Sequence, residues 1–167
     1  MTVPFAGLIA DGEQEVLLTG PLGVVEMLPA AATGGVLALV RHPLAARALG
    51  APLHTHTRED EYSVVLEGLV GIQVGEEVVE AGPGDVVAKP RGVPHAFWNP
   101  TDAPARLIDV VVPGTFVGYF RELGELMTGG GPDPQKLLAL ADRYGLRMDL
   151  DSVPDLVERY GLVPFPG

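Results

Sequence analysis

Short runs of apolar and β-branched residues, each ended by glycine or proline, dominate the middle of the chain. Between residues 35 and 113, turn signals separate these runs about every 8–12 residues, which is typical of antiparallel strands joined by short turns. The pattern predicts strands over residues 36–41, 51–57, 62–67, 70–74, 77–80, 86–89, 95–98 and 106–112. Eight short strands with this punctuation favour an all-β jelly roll, in which two sheets face each other.

The segments on either side of these strands have different patterns of apolar residues. Glycine and proline interrupt the apolar runs before residue 35, which predicts an irregular arm that packs on the barrel. After residue 113 the apolar spacing becomes helical. Helices are predicted over 116–126, from the N-cap Asp133 to Tyr144, and over 154–160, with a glycine joint at 129–131. The predicted organisation is an N-terminal arm (1–34), a barrel (35–113) and a C-terminal helical extension or short tail (114–167).

Composition and charge narrow the classes of function. Asp and Glu outnumber Lys and Arg by 22 to 11, and the net charge of −11 argues against binding to nucleic acid or to an anionic membrane. No apolar run reaches the roughly 18 residues of a membrane span, and the first residues lack a basic-then-apolar secretion signal. The chain has no cysteine, which excludes disulfides and thiolate ligands. We therefore expect a cytoplasmic protein.

Three of the four histidines and one glutamate carry the candidate chemistry. His54 and His56 are two residues apart on a predicted strand, so their side chains point to the same face. Glu61 stands at the start of the next predicted strand, and His95 follows a turn that contains two prolines and a glycine. Three imidazoles and a carboxylate suit one divalent transition metal ion (Fe, Mn, Ni, Co, Cu or Zn), with positions left open for water or substrate.

Strand parity assigns further residues to the same face. Ser63 and Val65 share a face with Glu61, and Phe97 shares one with His95. We predict that Ser63, Val65 and Phe97 line a substrate pocket; packing as ordinary barrel core is the alternative for each.

The remaining polar residues near these positions receive structural interpretations. His42 has no partner at metal-ligand spacing and is interpreted as a structural histidine. Glu59 and Asp60 are expected to be solvated charges. Only the combination of the other three histidines with Glu61 therefore predicts a site.

The chain resembles the cupin superfamily in two motifs. They read His54-x-His56-x4-Glu61-x6-Gly68 and Gly84-x5-Pro90-x-Gly92-x2-His95-x3-Asn99. The sequence departs from the family's pattern at Gly50, which three residues separate from His54 where the pattern has five. The resemblance spans roughly residues 33–112 and implies a cupin jelly-roll β-barrel of six to eight strands. In that fold the two histidines, the glutamate and His95 converge in the barrel mouth and hold the metal.

A narrower resemblance suggests an activity. The segment Thr33-Gly34-Gly35 and the helical part that begins at Phe116 look like those of small single-domain cupins similar to quercetin (flavonol) dioxygenases. This resemblance implies a metal-dependent dioxygenase-like oxidoreductase that uses O2 on a small aromatic or hydroxylated substrate. Glu61 would act as the general base that takes a proton from a substrate hydroxyl.

Two other classes of function stay open at this stage. A metal-dependent isomerase, lyase or hydrolase would act on a small polar substrate and would need a polar pocket. A non-catalytic ligand- or metal-binding module would have protein side chains in the metal's open positions. Because barrels of this kind often pair through the sheet, we also expect a homodimer.

Overall fold

Residues 6–128 and 133–163 are described by the structure, a computed structural model, so the predicted glycine joint at 129–131 lies outside them. Strands of this described part form two antiparallel sheets, with orders β1-β2-β3-β10-β5-β8 and β11-β4-β9-β6-β7. Their bounds are β1 Glu15–Leu18, β2 Val24–Leu28, β3 Ala38–Leu44, β4 Leu49–His56, β5 Asp60–Glu67, β6 Val70–Val74, β7 Glu77–Ala81, β8 Val86–Lys89, β9 His95–Trp98, β10 Ala105–Val112 and β11 Leu146–Asp149. The predicted all-β jelly roll is confirmed, and strands β3 to β10 correspond to the eight predicted ones.

The barrel core follows from alternation along the central strands. Strand β10 lies between β3 and β5, and every second side chain of it is buried, beginning with Ala105. Successive side chains of a strand point to opposite faces, so the buried set meets the opposite sheet. Leu107, Val65, Ile72 and Phe97 pack there in one apolar cluster with neighbouring side chains.

The N-terminal segment differs from the irregular arm that the sequence predicts. Strands β1 and β2 form a hairpin that extends the six-stranded sheet, where Val25 pairs with Arg41 of β3. Gly20 and Gly23 interrupt the pattern because they belong to the connection between two short strands. Val24 is fully buried. The segment is therefore an edge of the sheet as well as a cover for the barrel.

The C-terminal segment contains three helices: α1 Val117–Met127, α2 Pro134–Arg143 and α3 Ser152–Tyr160. Helix α2 begins as predicted, because the Asp133 carboxylate accepts a hydrogen bond from the Gln135 amide at 2.8 Å. Strand β11, which lies between α2 and α3, is absent from the sequence prediction. It is a short strand between two helical segments, and it forms by pairing with β4. Within the described ranges, the helices are all too short or too polar to cross a membrane.

Packing of this segment closes the barrel on one side. Phe116, Tyr119 and Leu146 share a buried cluster with Val40 and Val111 of the six-stranded sheet. On the other sheet, the Trp98 ring stacks on Tyr160 of α3 with centroids 4.0 Å apart. The helices and β11 are thus packed against the strands that carry the candidate ligands.

Candidate metal centre

The four predicted ligands meet in the barrel interior. His54 and His56 come from β4, His95 begins β9, and Glu61 lies on β5 of the other sheet. One potential ligand atom of each lies within 4.8 Å of those of the other three, and all four residues are buried. The i, i+2 spacing on β4 and the register that pairs His54 with His95 bring the imidazoles together. This cluster is the candidate metal centre.

Backbone carbonyls orient two of the imidazoles. His54 Nδ1 lies 2.8 Å from the Pro52 oxygen, and His95 Nδ1 lies 3.1 Å from the Val93 oxygen. Because a carbonyl only accepts hydrogen bonds, each Nδ1 carries the proton and donates. The lone pair is then on Nε2, which is the tautomer that metal-binding histidines use.

The third imidazole, that of His56, is oriented by Glu59. His56 Nδ1 faces Glu59 Oε2 at 3.4 Å. The prediction that Glu59 is solvated is wrong, since only 4% of the residue is exposed. The chain turns directly after β4, which folds this carboxylate back over the histidine three residues earlier.

Asp60 also has a defined partner. Its carboxylate accepts hydrogen bonds from the Arg91 amide at 2.9 Å and from the Arg91 guanidinium at 2.7 Å. These hydrogen bonds lower the pKa of Asp60 to about 2. The ion pair connects the start of β5 to the turn that precedes His95, and so holds two ligand-bearing segments together.

The donor set fits a divalent cation. His95 Nε2 is buried and lacks a hydrogen-bond partner among the described residues, yet it lies 3.3 Å from Glu61 Oε2. The lone pair of His95 Nε2 therefore has no donor and faces a carboxylate oxygen, and a cation between the two would satisfy it. Burial and the neighbouring imidazoles lower the pKa of His54, which keeps it neutral as a ligand must be.

A buried lysine completes the electrostatics. Lys89 Nζ lies 3.0 Å from Glu61 Oε2 and 3.0 Å from Asp109 Oδ1. Burial pushes the pKa of Glu61 upward, but Lys89, His56 and His95 together outweigh it and hold that pKa well below its usual range. Burial likewise opposes the charge on Lys89, yet the two carboxylates raise its pKa. The register places Lys89 opposite Glu61 on neighbouring strands.

Asp109 continues this network away from the ligands. The Ser63 hydroxyl donates to Asp109 Oδ1 at 2.5 Å, and His42 Nε2 lies 3.4 Å from Oδ2. His42 is therefore not an isolated structural histidine, although its Nδ1 does hydrogen-bond to the Gly23 oxygen at 3.1 Å. The sequence does single out Asp109, because it interrupts the apolar run of residues 107–112. It does not single out Lys89, since its partner depends on the register.

A cavity of about 450 Å³ extends from the candidate metal centre. His54, His56 and Glu61 form part of its wall, and Phe97 lines it as predicted. Ser63 and Val65 do not line it: Ser63 hydrogen-bonds to Asp109, and Val65 packs in the barrel core. The lining residues in the described part of the chain include no lysine or arginine.

Much of the cavity wall comes from outside the barrel strands. The N-terminal hairpin, the three helices, β11 and their connections contribute apolar side chains that include Leu18, Leu22, Phe116, Phe120, Leu123, Met127, Leu137, Leu146, Met148, Leu150 and Val153. The Phe116 ring also meets the His56 ring edge to face, with centroids 4.4 Å apart. The two ends of the chain therefore set the shape and polarity of the cavity.

Comparison with known proteins identifies the central part of the chain. Residues 42–111 match the family model described as "Cupin domain". The chain is 39% identical over 115 residues to germin-like protein 3-7 of Oryza sativa subsp. japonica, which covers 64% of this chain and 48% of that protein. It is 42% identical over 50 residues to the oxidoreductase iacF of Pestalotiopsis fici, covering 29% of this chain and 24% of that protein. The chain thus spans about half of one curated relative and about a quarter of the other.

A solved structure shows the same architecture. KdgF from Halomonas sp. superposes with a TM-score of 0.57 at 17% identity, covering 65% of this chain and 94% of that one. At this identity the likeness concerns the fold alone.

Proposed function

We propose that this chain, whose residues 42–111 form a cupin domain, is a metal-dependent dioxygenase-like oxidoreductase acting on a small aromatic or hydroxylated substrate. The observation that carries the proposal is an apolar cavity in direct contact with three of the four candidate ligands, His54, His56 and Glu61. A pocket with apolar walls and a few polar groups favours a ligand with a large apolar surface.

The same cavity disfavours the two competing classes of function. A small polar or anionic substrate would lose its hydration without gaining a lysine or arginine, because none lines the described part of the wall. A non-catalytic module would have protein side chains against the metal's open positions, whereas here the cavity reaches the ligands themselves. The name of one relative, an oxidoreductase, agrees with the proposal.

Different residues of the chain would have different roles in such a reaction. A divalent ion bound by the three histidines and Glu61 would supply Lewis acidity toward a substrate hydroxyl and, if redox-active, electron transfer to O2. Lys89 lies 3.0 Å from Glu61 Oε2, and His56 Nε2 lies 3.5 Å from Oε1. Glu61 Oε1 is the oxygen to which we assign the hydroxyl proton. The apolar walls exclude water, which strengthens these electrostatic interactions.

The first experiment is elemental analysis of the purified protein and of two variants. His56→Ala removes a ligand, and Thr55→Ala is the matched control, because Thr55 lies on the same strand and points to the other face. We expect about one equivalent of a transition metal in the parent and in Thr55→Ala, and its loss in His56→Ala. Metal-poor parent protein, even after reconstitution with several divalent ions, would remove the basis of the proposed activity.

The second experiment tests the chemistry on the metal-loaded protein. Oxygen uptake is measured with quercetin, and Thr55→Ala and His56→Ala serve again as control and disabled variant. In the parent and in Thr55→Ala, we expect O2 to be consumed in proportion to quercetin. In His56→Ala we expect no O2 consumption. A protein that binds metal but consumes no O2 with quercetin or simpler aromatic diols would refute the dioxygenase activity.

A further inference from the structure

We propose that His42 and Asp109 form a second polar subsite of the cavity, which binds a hydroxyl group of the ligand at a distance from the candidate metal centre. Both side chains line the cavity and are at most 2% exposed. The inference takes the aromatic class of ligand from the proposed function, but it does not require turnover or a redox-active metal.

The hydrogen bonds already made by the pair leave two acceptors facing each other. His42 Nδ1 donates to the Gly23 oxygen, because a carbonyl only accepts, so in the neutral imidazole Nε2 holds the lone pair. Asp109 Oδ1 accepts from Ser63 and Lys89. Asp109 Oδ2 receives no hydrogen bond from the described residues and lies 3.4 Å from His42 Nε2.

A hydroxyl group of a ligand would supply the hydrogen-bond donor that the pair lacks. Placed against the pair, it donates its proton to Asp109 Oδ2 or to His42 Nε2, and the buried acceptor no longer lacks a donor. The competing arrangement is a second proton on His42, which would close the pair on itself as a structural ion pair and leave nothing for a ligand. The experiment below separates the two.

The position of the pair defines the ligand. Lys89 Nζ lies 3.0 Å from Asp109 Oδ1 and 3.0 Å from Glu61 Oε2, so a single ammonium group separates the subsite from the candidate ligand Glu61. The His42 ring has Phe97 and Phe120 beside it, with centroids 5.7 and 5.6 Å away. The fitting ligand is therefore a small, flat aromatic molecule with a hydroxyl group that reaches His42 and Asp109.

The test compares 2-naphthol with 2-methoxynaphthalene, which has the same rings but no hydroxyl proton to donate. Binding is measured by titration calorimetry on the metal-free protein and on the Zn²⁺-loaded protein. We expect 2-naphthol to bind about tenfold more tightly in both forms, the value of one hydrogen bond to a charged group. His42→Phe should abolish this preference, whereas Thr55→Ala, whose side chain points to the other face of β4, should keep it.

Three results would overturn the proposal. They are the absence of a preference in the parent, a preference that survives in His42→Phe, and a preference present only with Zn²⁺, which would place the hydroxyl on the metal. Circular dichroism checks that each variant is folded, and His42→Leu replaces His42→Phe if the larger ring is not accommodated. Failure of the oxygen-uptake experiment leaves these binding results intact, so the two proposals fail separately.

Discussion

Replacing Lys89 by methionine should destabilise the metal-free protein far more than the metal-loaded one. Lys89 is 1% exposed, and its ammonium lies 3.0 Å from carboxylate oxygens of both Glu61 and Asp109. Methionine has nearly the same length but no charge, so the substitution leaves two carboxylates buried without their shared cation.

The magnitude follows from this geometry. Removing one partner of a buried ion pair costs about 3–5 kcal/mol, because the charge left behind is desolvated and unpaired. For a protein of this size, that corresponds to a fall in Tm of about 10 °C. A divalent ion beside Glu61 compensates one of the two carboxylates, so saturation with Zn²⁺ should restore about 2 kcal/mol more stability in the variant than in the parent.

Urea unfolding, followed by circular dichroism with and without Zn²⁺, measures both effects. Lys136→Met is the matched control, because Lys136 is exposed on α2 and the substitution is the same; we expect a change within about 0.5 kcal/mol. The reasoning is refuted if Lys89→Met is as stable as this control, or if Zn²⁺ stabilises parent and variant equally.

Three further predictions concern acid stability, packing and assembly. Burial opposes the charge on Asp109, but Lys89 and His42 together lower its pKa to about 2. This value is below that of the unfolded chain, so the stability that Asp109 contributes is present above about pH 4 and is lost as pH falls toward 2. Between pH 7 and pH 3, the loss measured by urea unfolding should be about 1 kcal/mol larger in the parent than in Asp109→Asn. Gly71→Ala would place a Cβ 2.3 Å from Trp98 Nε1, and urea unfolding should show a cost of about 1–3 kcal/mol. The outer face of β5 and β8 exposes apolar side chains, and Val86 is 63% exposed. We therefore expect light scattering to give twice the 17.5 kDa mass of one chain, and Val86→Glu to give the mass of a single chain. A parent protein with the mass of a single chain would refute the homodimer.

Local sequence patterns carry most of the information about the barrel. Strand alternation and turn residues depend on neighbours a few positions apart, and for that reason β6, β8 and β9 have the bounds that the sequence predicts. The spacing of His54 and His56 is local in the same sense, since two residues on one strand share a face whatever the strand packs against. The family resemblance added which glutamate and which later histidine join them.

The rest of the candidate site depends on contacts between distant segments. Lys89 and Asp109 meet Glu61 only because β8, β5 and β10 are neighbours in one register. Strand β11 lies between two helices and exists because it pairs with β4.

The residues that line the cavity could be predicted from the sequence only in part. The alternation of side chains along a strand places Ser63, Val65 and Phe97 on the inner face of the barrel, but of these three only Phe97 lines the cavity. The residues that each of them contacts come from the opposite sheet and from the two terminal segments, which strand alternation does not specify. The sequence by itself determined the strands, the turns and the four candidate ligands, since these are encoded within short stretches. Only the tertiary structure decided the charge network and the apolar cavity, because both arise where segments far apart in the chain pack together.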